Sequence, residues 1–465
     1  MTVYLSRNNA LQRPLILKVV GDNFRASKRA SLLANEYEIL QGLNVAGISR
    51  VVQQGKVQGR PALAIDYFES QTIKQRVSGK PMTVAAFLPI AIQLVDIVAR
   101  IHASNIIHRD LSSTNILINT DEQVQVIDFN LATRLSLKTV QLDTSAYLEG
   151  NLAYISPEQT GRIHRYVDQR SDLYSLGVVL YEMLTGRLPF VAEDALELIY
   201  AHIAYQPTAI NTINNAVPSA LAKVVEKLLA KNAEDRYQSA QGLKADLEHC
   251  LSQLTEKDHI PEFSLGSRDF SGKFRIPERL YGRDKELEQL LNGFEQIATA
   301  GAKLMLITGY SGTGKSSLVH EIYKPIADRR GFFVTGKFDQ LQSNKPYFGI
   351  RQALAQFVDM LLMENQEVLA QWKANLLEAL GGLGKVLTDV IPELELIVGP
   401  QGEVPPIGVT EAQNRFNYVF LSVIRCITSS DRPLVLFVDD LQWVDPASLN
   451  PVSYTHLTLP TTSRV

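Results

Sequence analysis

Two acids and an amide lie at fixed offsets around two short apolar runs. Asp110 and Asn115 precede the run 116–118, and Asp128 follows the run 126–127. Loops between short strands hold functional side chains on a rigid support, and carboxylate and amide oxygens bind Mg²⁺. We predict that Asp110 orients and deprotonates an attacking hydroxyl, while Asn115 and Asp128 hold the magnesium ions that bridge nucleotide phosphates. The alternative is a pair of acidic surface turns.

A glycine-rich segment forms a second candidate site. Residues 309–316 read GYSGTGKS, and they lie between an apolar run at 303–307, predicted to be a strand, and a predicted helix. Glycines let backbone N–H groups wrap phosphates, the lysine neutralises the β- and γ-phosphates, and the final serine binds magnesium. The predicted ATP contacts are Gly309, Gly312, Gly314, Lys315, Ser316 and Ser317.

A companion to this segment follows the apolar run 434–438. The run predicts a buried strand that ends in Asp439 and Asp440. Asp439 would hold magnesium through water, and Asp440 would polarise an attacking water. A glycine-rich turn that binds no nucleotide is the less favoured alternative.

The elements that must position the first site begin with two strand-like runs, at 2–5 and 15–20. The second run contains Lys18, and a lysine in an apolar strand is costly unless its ammonium group meets anions. A lysine at a sheet edge that reaches solvent is the alternative. A helix is predicted over 28–43, and helical spacing of apolar residues over 84–104 predicts a core helix that leads into the loop of Asp110.

The segment 108–130, HRDLSSTN followed by IDFN, resembles the catalytic and metal-binding loops of protein kinases. The resemblance implies that Lys18 grips the α- and β-phosphates and pairs with a helix glutamate, Glu36, with Glu38 as the competing candidate. It also implies that Val3 closes the loop that covers the phosphates. That loop would precede residue 1, so we expect an N-terminally truncated domain.

The same resemblance assigns roles to other residues. The strand 62–68 is similar to the kinase hinge, whose backbone binds adenine near Asp66 and Phe68. Asp172 is expected to cap the next apolar helix and brace the catalytic loop, and Arg236 to pair with Glu158. The possible phosphosites of the activation segment are Ser136, Thr139, Thr144 and Ser145.

Three positions depart from the Ser/Thr kinase pattern. Ser112 stands where a lysine normally reaches the γ-phosphate, and Asn151 stands where a threonine braces that lysine. Loss of one positioned cation costs about 2 to 4 kcal/mol of transition-state stabilisation. Asn130 replaces a glycine, and asparagine tolerates the left-handed backbone expected there.

The second candidate site also carries a resemblance. YGRD at 281–284, the glycine-rich segment and DDLQW at 439–443 are similar to AAA-like ATPases of the signal-transduction class. This resemblance implies a nucleotide-gated switch and possible self-association.

Composition limits the remaining possibilities. The chain has 465 residues, 45% apolar and 20% charged, with a net charge of -3, so there is no basic excess that would indicate nucleic acid binding. The two cysteines form no metal or disulfide pattern, which favours the cytoplasm. We expect no signal peptide and no apolar run near the length of a membrane span.

The predicted fold is a bilobal α+β protein-kinase-like domain over 1–254, a linker over 255–280, and an incomplete α/β P-loop NTPase with a parallel sheet over 281–450. The tail 451–465 is expected to be non-native, since its Thr- and Ser-rich sequence does not continue the preceding helical pattern. A genuine disordered tail is the alternative.

The pair of domains is similar to large bacterial signalling proteins, some of which continue into a histidine kinase. It implies a Ser/Thr kinase that uses Mg²⁺ and ATP on protein substrates and is coupled to an ATPase switch. Two alternatives remain: a pseudokinase scaffold that binds nucleotide without transfer, and an ATPase-driven oligomerising regulator.

Overall fold

The computed structural model describes residues 1–8, 13–21, 26–135, 150–161, 166–192, 194–270, 282–296, 302–310, 312–329, 331–340, 346–362, 364, 366–429, 432–445 and 447–448. The expected non-native tail, 451–465, and the four possible phosphosites lie outside these residues.

A small N-terminal lobe consists of an antiparallel sheet and one helix. The strand order is β1-β2-β4-β3, and α1 packs on the sheet through Leu33, which is fully buried. The apolar residues of β2 and β4 face this helix, so a small core forms between sheet and helix. The elements of the lobe are β1 (Thr2–Asn8), β2 (Arg13–Val19), α1 (Ala26–Gln41), β3 (Val51–Val57) and β4 (Arg60–Asp66).

A larger, mainly helical lobe follows. Two small antiparallel sheets, ordered β5-β7-β8 and β6-β9, lie against its helices and carry the loops of the first candidate site. The short strands are β5 (Gln71–Thr72), β6 (Ile106–Ile107), β7 (Ile116–Ile118), β8 (Val124–Val126) and β9 (Thr133–Arg134). The helices are α2 (Ile73–Val77), α3 (Val84–Ala103), α4 (Gln169–Thr185), α5 (Ala195–Ala204), α6 (Ile210–Ile213), α7 (Ser219–Leu228) and α8 (Ala240–Lys257).

Helix α3 corrects the expectation that no apolar run approaches the length of a membrane span. Its 20 residues are long and apolar enough, by length and composition, to cross a membrane, and it is the one such helix among the described residues. Its apolar side chains, including the fully buried Phe87, Leu88 and Leu94, pack in the core of the larger lobe. The helix is apolar because α4 and α8 pack against it.

The expected linker begins with residues that contact the larger lobe. Ile260 joins the core of that lobe, and the carboxylate of Asp269 accepts hydrogen bonds from the backbone N–H groups of Gln238 and Ser239 at 2.6 and 2.9 Å. Residues 258–270 therefore pack on the lobe, whereas 271–280 lie outside the described residues.

The C-terminal domain surrounds two parallel strands, β10 (Phe332–Lys337) and β11 (Leu434–Asp439). The expected strand at 303–307 is wrong: among the described residues, that run belongs to no sheet, and Leu304 and Leu306 are 42% and 65% exposed. A strand requires a hydrogen-bonded neighbour, and apolar content does not supply one. The helices are α9 (Asp284–Glu295), α10 (Lys315–His320), α11 (Tyr323–Asp328), α12 (Phe348–Leu361), α13 (Gln366–Leu380), α14 (Gly384–Thr388), α15 (Glu395–Val398) and α16 (Val409–Ile427).

Candidate active sites

The structure brings Lys18 of β2 together with two acids from distant parts of the chain. Its ammonium group donates to both carboxylate oxygens of Glu36, at 2.7 and 2.9 Å, and to Oδ1 of Asp128 at 2.8 Å. Glu36 is fully buried, whereas Glu38 is exposed. Val3 lies opposite Lys18 in the register of β1 and β2 and is 57% exposed.

This cluster holds a buried positive charge. Burial alone would lower the pKa of Lys18, but the carboxylates of Glu36 and Asp128 outweigh that effect and raise the pKa above its ordinary value. Lys18 is therefore an ammonium ion at neutral pH, and it joins the N-terminal lobe to Asp128 of the larger lobe.

Asp110 is held by groups on both sides of its carboxylate. The Asn115 amide nitrogen donates to Oδ2 at 3.0 Å and to the backbone oxygen of Asp110 at 2.9 Å, while the backbone N–H of Asn151 donates to Oδ1 at 2.9 Å. Burial raises the pKa of Asp110, although the Asn151 N–H group opposes that shift. Asn115 uses its nitrogen in these bonds, so its amide oxygen remains as the atom that could bind a metal ion.

Asp172 fixes the backbone that carries Asp110. Its carboxylate accepts hydrogen bonds at 2.8 Å from the backbone N–H groups of His108 and Arg109 and lies 2.8 Å from Nε2 of His102. The expected brace is present, but the expected cap is wrong. Asp168 caps α4, because it lies outside the helix with an extended backbone and accepts from a first-turn N–H group.

A buried ion pair lies within the larger lobe. Arg236 donates to both carboxylate oxygens of Glu158, at 2.7 and 2.9 Å, and Ser171 donates to the same carboxylate at 2.7 Å. Burial would raise the pKa of Glu158, but Arg236 and Ser171 hold it below its usual range. The contact expected between Arg236 and Glu158 is therefore present.

The proposed adenine region follows β4. The backbone N–H of Asp66 donates to the Arg50 carbonyl at 2.9 Å, and the Phe68 carbonyl accepts from the Ser70 hydroxyl at 2.8 Å. Asp66 is the last residue of β4, and Phe68 lies in the short segment that leads from β4 to β5 of the larger lobe.

The glycine-rich segment meets the end of β11. The Ser316 hydroxyl donates to Oδ2 of Asp439 at 3.0 Å. The Lys315 ammonium donates to the carbonyls of its own loop, Gly309 at 3.0 Å and Tyr310 at 2.9 Å. Gly312 and Gly314 have φ of +79° and +83°, which side chains disfavour, and Ser317 is exposed at the start of α10.

The carboxyl ends of β10 and β11 lie at one edge of the sheet, because the strands are parallel. Asp440 has a left-handed backbone, with φ of 55°, and its carboxylate lies 3.4 Å from the Lys337 ammonium at the end of β10. Sequence analysis missed Lys337, although its position at the end of an apolar run was a usable signal.

Both donor sets suit magnesium held jointly with a nucleotide. Among the described residues, no group of three or more histidine, cysteine or acidic side chains could hold a metal ion. Mg²⁺ usually takes one or two protein ligands and completes its shell with phosphates and water. The oxygen donors of Asn115 and Asp128, and of Ser316 and Asp439, fit that pattern.

Two family models match the chain. A protein kinase domain model matches residues 1–247, and an AAA ATPase domain model matches residues 279–465. The chain belongs to the protein kinase family. Its kinase domain precedes an AAA ATPase domain, and its relatives include several serine/threonine kinases.

Three relatives show how much of each protein is shared. Hybrid signal transduction histidine kinase G of Dictyostelium discoideum is 34% identical over 449 residues, 78% of this chain and 13% of that protein. Serine/threonine-protein kinase PknL of Mycobacterium tuberculosis is 29% identical over 276 residues, 59% of this chain and 67% of that protein. Serine/threonine-protein kinase PknB of Mycobacterium leprae is 33% identical over 289 residues, 59% and 45% of the two chains. The chain thus spans a small part of the first relative.

The kinase domain accommodates its three departures differently. Ser112 is fully buried and lies 2.8 Å from the Thr114 hydroxyl, so a short polar contact occupies the position of a cation. Asn151 contributes its backbone N–H to Asp110 and its side chain to the N–H of Ala153. Asn130 does not have the left-handed backbone expected there, because its φ is not positive, whereas Asp128, with φ of 68°, takes that conformation.

Gly150 lies against the candidate site, and sequence analysis missed it. Its φ is +99°, and a Cβ atom added there would lie 2.8 Å from Oδ1 of Asp110. A side chain at this position would press on the proposed base. Only the fold brings residue 150 against residue 110, so the sequence carried no local signal of this contact.

Proposed function

We propose that the kinase domain transfers the γ-phosphoryl group of ATP to serine or threonine hydroxyls of protein substrates in bacterial signal transduction. The observation that carries the proposal is the contact of Lys18 with both Glu36 and Asp128, beside a half-buried Asp110 that Asn115 orients. Phosphoryl transfer depends mainly on positioning and charge, and these residues supply both.

Each residue of the kinase cleft has one task in this proposal. Asp110 accepts the proton of the attacking hydroxyl, and its raised pKa increases its basicity. Lys18 balances the α- and β-phosphate charge while Glu36 keeps it in place. Asn115 and Asp128 hold magnesium, which neutralises phosphate charge when bound. The backbone near Asp66 and Phe68 receives adenine, and Val3 covers the phosphates.

The ATPase domain acts as a nucleotide-binding and hydrolysing switch coupled to the kinase. Backbone groups of Gly309, Gly312 and Gly314 would surround the phosphates, and Lys315, Ser316 and Ser317 would complete the phosphate contacts. The bond from Ser316 to Asp439 supports a shared magnesium position. Asp440 would polarise the attacking water. Self-association through this domain and a cytoplasmic location belong to the same proposal.

The test is transfer of labelled phosphate from ATP with magnesium to the chain itself and to a generic Ser/Thr substrate. Asp110→Asn should reduce labelling by about 10²- to 10⁴-fold, whereas Lys315→Ala should retain it. Asp121→Asn is the matched control, because Asp121 is an exposed acid in a nearby turn. Absence of labelling in the unmodified chain, with ATP still bound, would refute the kinase activity.

A second candidate, a scaffold that binds nucleotide without transfer, is favoured by one observation. The buried Ser112 supplies no cation at the position where kinases of this class carry the lysine that reaches the γ-phosphate. If the scaffold describes the protein, Ser112→Lys will produce no labelling. If transfer is slow for want of this cation, Ser112→Lys should increase labelling by about tenfold or more.

A further inference from the structure

Helix α5 belongs to the kinase domain by sequence, yet its apolar face packs with the ATPase domain. Ile199 is fully buried and Tyr200 is 2% exposed. They join one hydrophobic cluster with Ile322 and Ile326, and α5 lies against α11. The neighbouring α4 and α7 instead contribute to the core of the kinase domain. The two domains therefore share a hydrophobic core at this helix.

A buried polar contact gives this interface a defined geometry. The Tyr200 hydroxyl donates to the carbonyl oxygen of Gly331, which lies between α11 and β10. The N–H of Gly331 donates to the Ile326 carbonyl at 2.9 Å. Movement of α11 therefore displaces the acceptor of the Tyr200 hydroxyl, and a buried hydroxyl that loses its partner is costly.

Helix α5 also contacts a segment of the kinase domain that lies close to Asp110. The helix packs against the short 3-10 helices 152–154 and 157–160. His202 is fully buried beside the Tyr174 hydroxyl, at 3.0 Å, and burial together with Lys231 lowers the pKa of His202 to about 3. The Lys231 ammonium donates to the Ala201 and His202 carbonyls at 3.1 and 2.9 Å. These contacts attach the end of α5 firmly to the kinase domain.

Segment 150–160 in turn touches the catalytic loop. The N–H of Asn151 donates to Asp110, and the Gln159 amide donates to the Arg109 carbonyl at 2.7 Å. A small shift of α5 would therefore change the support of Asp110.

At the other end, α11 follows α10 after two residues, and α10 begins at Lys315. Leu318 and Val319 of α10 are buried in the same cluster as Ile199. The Lys315 ammonium is bonded to its own loop, and nucleotide phosphates would compete with those carbonyls for it. Nucleotide binding would thus rearrange the loop from which α10 begins.

We propose that α5 is an intramolecular docking surface for the ATPase domain, and that nucleotide binding at the glycine-rich loop changes the position of segment 150–160 against Asp110 through α10, α11 and α5. This rests on the proposed ATP binding by the second domain. Because coupling between two sites is reciprocal, occupancy of the kinase cleft also changes nucleotide affinity at the glycine-rich loop.

Hydrogen exchange of the full chain tests this without requiring catalysis. The background variant Lys18→Ala weakens nucleotide binding in the kinase cleft, so ATP with magnesium acts at the glycine-rich loop. Exchange is measured under conditions in which circular dichroism shows this less stable variant to be folded. ATP should slow exchange at residues 312–320 and also change it at 195–204 and 150–160, by about fivefold or more. Adding Lys315→Ala should abolish all three effects.

Tyr200→Phe separates the interface from nucleotide binding. It should keep the protection at 312–320 and reduce the change at 150–160 by at least about half. Tyr181→Phe is the matched control, because the Tyr181 hydroxyl also donates to a backbone carbonyl, that of Thr208 at 2.8 Å, but within the kinase domain. Tyr181→Phe should leave the change at 150–160 intact.

The outcomes are distinguishable. Protection at 312–320 with no change at 195–204 and 150–160 would overturn the coupling and leave ATP binding standing. An equal change at 150–160 in Tyr200→Phe and the background variant would overturn the role of the Tyr200 contact. No protection at 312–320 would refute ATP binding and the coupling together.

Discussion

The lysines of the two proposed nucleotide sites differ in what holds them. Lys18 contacts acids that are 18 and 110 positions away in sequence, and it is buried. Lys315 contacts carbonyls five and six positions away in its own exposed loop. Tertiary contacts therefore preorganise the kinase cleft, whereas the ATPase loop is folded on itself and must exchange partners when phosphate binds. The first arrangement suits catalysis by fixed charge, and the second suits a switch.

The largest expected effect tests this difference through stability. Lys18→Met should lower the free energy of unfolding of the kinase domain by about 3 kcal/mol, because Glu36 would remain buried without its partner. Lys315→Met should change stability by no more than about 0.5 kcal/mol. Urea unfolding followed by circular dichroism measures both.

Both tryptophans, Trp372 and Trp443, lie in the ATPase domain, so fluorescence follows that domain separately. A fluorescence midpoint that falls as far as the circular dichroism midpoint in Lys18→Met would show that the two domains unfold as one unit. If Lys18→Met and Lys315→Met lower the free energy of unfolding equally, the two lysines do not differ in how strongly tertiary contacts hold them.

The next effect concerns how tightly the kinase cleft is packed. Gly150→Ala should reduce phosphate transfer by about tenfold or more, because the added methyl group presses on Asp110 and small displacements of a base are costly. Gly161→Ala is the matched control: Gly161 also has a positive φ, +66°, but nothing lies within 4 Å of an added Cβ. Phosphate transfer is compared at equal folded fractions of the two variants. Similar losses of transfer in Gly150→Ala and Gly161→Ala would indicate that backbone strain alone is the cause.

A pH-dependent effect follows from Glu158. Its folded-state pKa is lowered, so the pair with Arg236 contributes full stability above the unfolded pKa, about 4.3, and loses it as the pH falls through the folded value. Glu158→Gln should therefore be less stable at pH 7 and show a smaller loss of stability on acidification. Parallel stability curves for the two proteins between pH 6 and the acid transition would contradict this account.

The smallest expected effect is a gain of stability, and it concerns the ATPase domain. Burial, with Glu393 as a lesser cause, raises the pKa of Asp359. The ionised side chain therefore destabilises the fold once the pH exceeds its unfolded pKa. Asp359→Asn should raise the fluorescence-detected unfolding midpoint slightly at pH 7, and the gain should vanish below the unfolded pKa, about 3.9. A gain that is constant with pH would exclude charge as its cause.

Several candidate-site residues were identifiable from the sequence because the chemistry proposed for them depends on spacing along the chain. Asp110, Asn115 and Asp128 lie around adjacent short strands, and Lys315 and Ser316 lie on one turn, so local sequence is enough to bring them together. The contact of Ser316 with Asp439 also follows from a strand that ends in acids.

The tertiary structure decided which side chains pair, which segments form strands and which domains are in contact, because spacing along the chain does not specify these. Residues 36 and 38 are about 200° apart around a helix, so only the packing of α1 on the sheet selects Glu36 as the partner of Lys18. The segment 303–307 is apolar but lacks a paired neighbour among the described strands. The packing of α5 against the ATPase domain is equally invisible in sequence, because an apolar helical face does not specify which core covers it. Motif chemistry is local, whereas pairing, rotation and domain contact depend on residues that meet only after the chain has folded.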